Sequence, residues 1–186
     1  MAIKIFIDQG HNPHTVNAGA EGNGLREQDI TYAVGMHLAD LLTANPMFEV
    51  KVSRETPETI LGTTVTESLS QRVEMAADWG ANYFLSIHAN ASTNPEINGS
   101  EVYIYSEFSP AANLAQSILD SIVKDIGTKD NGIKINPTLY VLRKTTMPAA
   151  LIELAYITNF EDSEKLKNNQ LEFAYAIYAG ILNSLN

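Results

Sequence analysis

Along the chain the spacing of apolar residues changes period several times. Residues 2–7, Ala-Ile-Lys-Ile-Phe-Ile, form a short apolar run that predicts a first strand. From Glu27 the apolar residues Ile30, Val34, Leu38, Leu41 and Leu42 recur at steps of three and four, which predicts an amphipathic helix stopping near Asn45-Pro46. A strand is expected at Phe48 to Val52, then a helix from about Glu67 to Trp79 that ends at Gly80. Further strands are expected at Tyr83 to Ile87 and Ser100 to Tyr105, followed by a helix over Ala111 to Ile126 with Leu114, Ile118, Ile122 and Ile126 on one face. Strand-like runs near Leu139 to Leu142 and at Ala149 to Leu154 precede a last helix from about Leu171 to Leu185. The acidic cluster Glu161-Asp162-Ser163-Glu164 reads as the polar start of a short helix, where negative charge suits the dipole.

Strands alternating with helices predict an α/β fold: a mostly parallel, mixed and twisted sheet of about six strands, flanked by helices on both faces. With no internal repeat or linker, residues 1–186 are expected to form one domain. In open sheets of this kind ligands bind beyond the carboxyl ends of the strands. One segment there stands out. Between the first strand and the first helix, Gln9 to Gly24 holds four glycines among polar residues, the pattern of a long functional loop.

Charge narrows the partners. A formal net charge of -10 with only twelve Lys and Arg leaves no basic footprint for nucleic acid. The chain has no cysteine, so thiol catalysis and thiolate ligands are excluded and a metal must be held by His, Asp or Glu. The N-terminal apolar run is too short for a signal-peptide core, and no stretch approaches the roughly 20 apolar residues of a membrane span. A monomer is expected.

Four polar residues then fall where a plain core would not put them. His11 lies just beyond the first strand, His88 ends the strand Tyr83 to Ile87, and Glu153 interrupts the apolar run Ala149-Ala150-Leu151-Ile152 near its carboxyl end. Glu27 begins the first helix in the middle of its buried stripe, since Ile30, Val34, Leu38 and Leu41 all fall within about 60° of it on a helical wheel. A carboxylate aimed inward needs a partner such as a cation. The alternative is an N-terminal capping glutamate favoured by the helix dipole, although a capping box would need Ser or Thr where Gly24 stands. Two His and one Glu, here His11, Glu27 and His88, form a ligand set that zinc uses in catalytic sites, leaving a fourth position open. Glu153 suits the general base that hydrolysis needs, or else a rim glutamate paired with Arg143 or Lys144. His14, three residues after His11, is an alternative ligand or a solvated loop residue, and His37 lies on a helix flank.

At these residues the sequence resembles the zinc-dependent N-acetylmuramoyl-L-alanine amidases of the amidase type 3 family. The likeness runs through Asp8-Gln9-Gly10-His11, Asn17-Ala18-Gly19-Ala20, Leu25-Arg26-Glu27, Ser70-Gln71-Arg72, Ser86-Ile87-His88-Ala89-Asn90 and Leu142 through Met147-Pro148-Ala149-Ala150-Leu151-Ile152-Glu153 to Thr158-Asn159. It implies His11, Glu27 and His88 as ligands of one zinc ion per chain, Glu153 as the catalytic glutamate, and hydrolysis of the amide between N-acetylmuramic acid and L-alanine in bacterial peptidoglycan. Asp8 and Asn90 are then candidates for orienting ligands or touching substrate. Gln9 and Asn12 depart from the proline and glycine usual in the family, and Ala155-Tyr156 from Gly-Phe.

Two other functions use the same residues: a zinc carboxypeptidase or endopeptidase acting on the stem peptide, and an inactive peptidoglycan-binding domain. The expected place of action is the cell wall. With no signal peptide read in this chain, the enzyme would reach the wall by lysis, as a phage or mother-cell enzyme, or as a domain of an exported protein.

Overall fold

The computed structural model describes residues 2–14 and 16–185; Met1 and Asn186, the ends of the expected domain, and Thr15 lie outside them. Strands β1 (Ile3–Gln9), β4 (Phe48–Val52), β5 (Tyr83–Asn90), β6 (Ser100–Ile104), β7 (Asp130–Ile135) and β8 (Ala149–Tyr156) form a six-stranded sheet in the order β4-β1-β5-β8-β6-β7. The first four run parallel. β6 pairs antiparallel with β8, and β7 runs parallel to β6, so the sheet is mixed. A two-residue ribbon, β2 (Glu21–Gly22) with β3 (Leu25–Arg26), closes the glycine-bearing loop.

Helices α1 (Glu27–Thr43), α2 (Val65–Trp79), α3 (Ala112–Ile126), α4 (Tyr140–Lys144), α5 (Phe160–Asn168) and α6 (Gln170–Ser184) cover the sheet. The pleat sorts the core into two. Ile5, Ile7, Leu85, Ile87, Ala150 and Ile152 pack under α1, α3 and α6, while Phe6, Phe84, Ala149 and Leu151 pack under α2 and α4. α2 starts at Thr64, whose hydroxyl accepts from the Glu67 amide, and stops at Gly80 in the left-handed region at φ 71°.

Two expectations need correction. Leu139 to Leu142 is not a strand: Leu139 caps the start of α4, which packs beside α2. A run of four apolar and aromatic residues is too short to show a period, so spacing could not tell this single helical turn from a strand. The strand sixth in the sheet is instead Asp130–Ile135, a polar edge strand. It is masked in sequence by Asn131-Gly132, where the register with β6 shifts and Gly132 takes φ 80°.

Candidate metal centre

Three elements converge at the carboxyl end of the sheet. β1 runs out into Gly10-His11, β5 carries His88 two residues before its end, and Glu27 opens α1. Glu27 is buried and its two oxygens are fully engaged. Oε1 lies 3.1 Å from His11 Nε2 and 3.0 Å from His88 Nδ1, and it accepts from the Ala89 amide at 3.0 Å. Oε2 accepts from the Ala20 amide at 2.9 Å. Burial would raise this carboxyl, but hydrogen bonds from His11 and His88 and their charges hold it well below the usual glutamate range.

One donor atom from each of His11, Glu27 and His88 lies within 4.8 Å of the others. Ligands of a tetrahedral zinc at about 2.0–2.1 Å stand roughly 3.3 Å apart, so the two imidazole-to-carboxylate separations fit with little adjustment. His11 Nδ1 is 3.1 Å from the Asn17 carbonyl, a contact that orients the ring and turns Nε2 towards the centre. The loop glycines make this convergence possible. A Cβ at Gly19 would lie 2.7 Å from Glu27 Cβ and 3.0 Å from His11 Cδ2, and one at Gly10 would lie 2.6 Å from the His88 ring. His14 stays outside the group, exposed and 3.6 Å from Glu58.

Asp8, at the end of β1 near the three candidate ligands, is fully buried. Its carboxylate accepts from Arg72 Nη1 at 2.6 Å and from the Ser86 hydroxyl at 2.8 Å. Burial alone would raise Asp8; the Arg72 charge and both hydrogen bonds bring it below the ordinary aspartate range. Arg72 also donates to the carbonyls of Gln9 at 2.6 Å and His11 at 2.7 Å, so α2 holds the chain on both sides of Gly10. The family departures are accommodated: Gln9 bonds Ser53 and Arg54 at the end of β4, and Asn12 bonds Leu61 and Arg72.

Glu153 is the direct β-partner of His88 on one side and of Glu101 on the other. Just beyond it the pairing slips, Asn90 meeting Tyr156, so an extra residue of β8 bulges next to the site. Its Oε2 is withdrawn from solvent and accepts no hydrogen bond. Arg143 and Lys144 are exposed in α4, before β8 begins, which removes the rim ion pair considered for Glu153. Burial first, then the charges of Glu27 and Glu101, push the Glu153 carboxyl well above the usual range. Asn90 donates to Glu101 Oε1 at 2.7 Å and accepts from the Ala91 amide, so both ends of its amide are engaged within the protein.

Two imidazoles and a carboxylate brought together at the carboxyl end of the sheet, with a second carboxyl alongside, are a donor set that could hold a metal ion and suits the class of metal-assisted hydrolases. A model of the N-acetylmuramoyl-L-alanine amidase family (Amidase_3) matches residues 5–183. The chain belongs to that family, whose members are hydrolases of peptidoglycan. It is 37% identical over 185 residues to the N-acetylmuramoyl-L-alanine amidase CwlM of Bacillus licheniformis, covering 98% of this chain and 67% of that one. It is 39% identical over 166 residues to LytC of Bacillus subtilis, covering 88% of this chain but only 31% of the relative. The catalytic domain of CwlV, from Bacillus (Paenibacillus) polymyxa, superposes with a TM-score of 0.85 at 32% identity, covering 98% of both chains.

Proposed function

We propose that this chain is a zinc-dependent N-acetylmuramoyl-L-alanine amidase in which His11, Glu27 and His88 hold the ion and Glu153 is the catalytic acid–base. The observation that carries the reading is the convergence of those three donors to within 4.8 Å, beside a carboxyl oxygen that no protein group satisfies. A divalent ion held there supplies Lewis-acid polarisation of the scissile carbonyl and acidifies water. Glu153 takes a proton from the attacking water and returns it to the departing L-alanine amine. A carboxyl of raised proton affinity in a dry wall suits both halves of that transfer. Asp8 acts through Arg72 and Ser86 on the strand ends rather than on substrate, and Asn90 has its amide committed to Glu101 and Ala91. No helix among the described residues is long and apolar enough to cross a membrane, and the named relatives support a substrate in the cell wall.

Purified protein is expected to contain about one zinc per chain, to lose activity with a chelator and to regain it with added zinc. Digested walls are expected to gain free L-alanine N-termini while the stem peptide keeps its length. Shortened stems would instead indicate a stem peptidase, and zinc-loaded protein without turnover would indicate a binding domain.

A further inference from the structure

Glu101, at the start of β6, is a second buried carboxyl group next to the proposed centre. Because β6 runs antiparallel to β8, the beginning of β6 reaches the same sheet edge as the end of β8, and Glu101 falls directly opposite Glu153. His88, Glu153 and Glu101 therefore stand in one row across three strands, on one face of the sheet. The two glutamates are unequally served. Glu101 Oε1 accepts from Asn90 Nδ2 at 2.7 Å, from the Tyr103 hydroxyl at 2.9 Å and from the Tyr156 hydroxyl at 3.5 Å. Glu153 Oε2, itself withdrawn from water, accepts from none of them.

A buried oxygen that collects three donors is a structural tie, and a buried oxygen next to it with none is costly unless something outside the protein completes it. The tie also has a direction. Asn90 belongs to β5, Tyr156 to β8 and Tyr103 to β6, so Glu101 joins all three strands just beyond the bulge that follows Glu153. Burial, and then Glu101 itself, push the Tyr103 hydroxyl up from its ordinary value, which keeps it a donor throughout the working range of pH.

We propose that Glu101 is a positioning residue for the hydrolysis: it draws Asn90, Tyr103 and Tyr156 onto its own carboxyl, fixes the wall beside Glu153, and leaves Glu153 free to bond only the reacting water and the departing amine. This rests on the acid–base role assigned to Glu153. Glu101 itself touches neither substrate nor the metal ligands. Removing it would release the three donors, and Asn90 and the tyrosines could then turn to Glu153, occupying the oxygen that the reaction needs.

The experiment compares Glu101→Ala, Glu101→Gln, Tyr103→Phe and Glu153→Gln as zinc-loaded full-length protein, measuring zinc per chain and kcat and KM on a soluble muramoyl-peptide. Glu101→Ala is expected to keep its zinc and its KM while kcat falls about 10- to 100-fold, the scale of a displaced reacting group. Glu101→Gln retains an acceptor oxygen in the same place and is expected to recover kcat to within about threefold of the parent. Tyr103→Phe removes one donor without changing the ring and is expected to lower kcat a few-fold, which decides the matter where Glu101→Ala does not fold. Parental kcat in Glu101→Ala, or in Tyr103→Phe where that variant stands in, overturns the proposal. So does a Glu101→Gln no better than Glu101→Ala, or a loss of activity that follows zinc or KM rather than kcat. Near-parental kcat in Glu153→Gln is a different failure, since it removes the role of Glu153 on which the inference stands.

Discussion

Glu27 and Glu153 carry the same functional group in opposite surroundings, and that contrast separates their roles. Glu27 is held as a carboxylate by two imidazoles and two backbone amides, the state a metal ligand requires; Glu153 is part-buried near two other carboxyl groups, which raise its affinity for a proton. Glu27→Gln replaces an anionic donor by a neutral one, so zinc is expected to be lost first. Glu153→Gln is expected to keep zinc while turnover falls about 1,000- to 10,000-fold. Zinc stoichiometry and turnover measured on both variants test this, and zinc loss in Glu153→Gln with retention in Glu27→Gln would exchange the two assignments. Stability should move the other way. The folded-state pKa of Glu153 lies above the unfolded value of about 4.3, so its contribution favours folding below that value and is lost as pH rises towards the folded pKa. Glu153→Gln in the presence of chelator should therefore melt higher than the parent at pH 7, with the gain shrinking near pH 4. An equal difference at both pH values would contradict the burial ascribed to this carboxyl. His11 and His88 stood out because they fall at the ends of expected strands, and Glu27 and Glu153 because each breaks an apolar pattern. Glu101 was not: a glutamate one position into a strand looks like an ordinary outward residue until the antiparallel pairing of β6 with β8 is known.

Among the elements, α2 does the most to fix the centre without contributing a ligand. Its Arg72, almost completely buried, is paired with Asp8 and holds the carbonyls of Gln9 and His11. The periodicity predicted this helix and Gly80 its stop, and the family likeness included Arg72, but neither could show that an arginine on that face would reach across to β1. Replacing Arg72 by Met should leave Asp8 buried and unpaired, at a cost of about 3–5 kcal/mol in urea unfolding. Arg72→Lys keeps the charge but not the forked geometry, and should fall between the parent and Met. Both should also weaken zinc binding, because the carbonyl of His11 loses its anchor; a Met variant with parental stability and zinc affinity would show that the Asp8 pair is dispensable. The elements misread from sequence fail for related reasons. The α4 segment is too short to display a period, and in β7, an edge strand, the alternation is confined to Ile133-Lys134-Ile135 after the Gly132 bulge, too short to stand out.

Across the whole molecule, the alternation of strands and helices was enough to foresee a covered α/β sheet, but not its order. β8 lies between β5 and β6, and that insertion is what brings Glu153 between His88 and Glu101 from distant parts of the chain. The remaining whole-molecule property is charge. A net charge of -10 is carried largely by surface groups, and it acts on how the enzyme approaches its substrate rather than on bond cleavage. Peptidoglycan with free stem-peptide carboxylates is itself anionic, so at low salt the two surfaces repel. Raising salt shortens the Debye length from roughly 30 Å at 0.01 M to about 8 Å at 0.15 M and should remove most of that repulsion. The site responds less, since Glu27 and the Asp8–Arg72 pair are buried. For this chain, the initial rate of digestion of intact walls should therefore rise about two- to tenfold over that salt range, while turnover of a soluble muramoyl-peptide at saturation stays nearly constant. A wall-digestion rate that falls with salt would contradict the argument, because it requires a local cationic contact with the wall strong enough to outweigh the net charge.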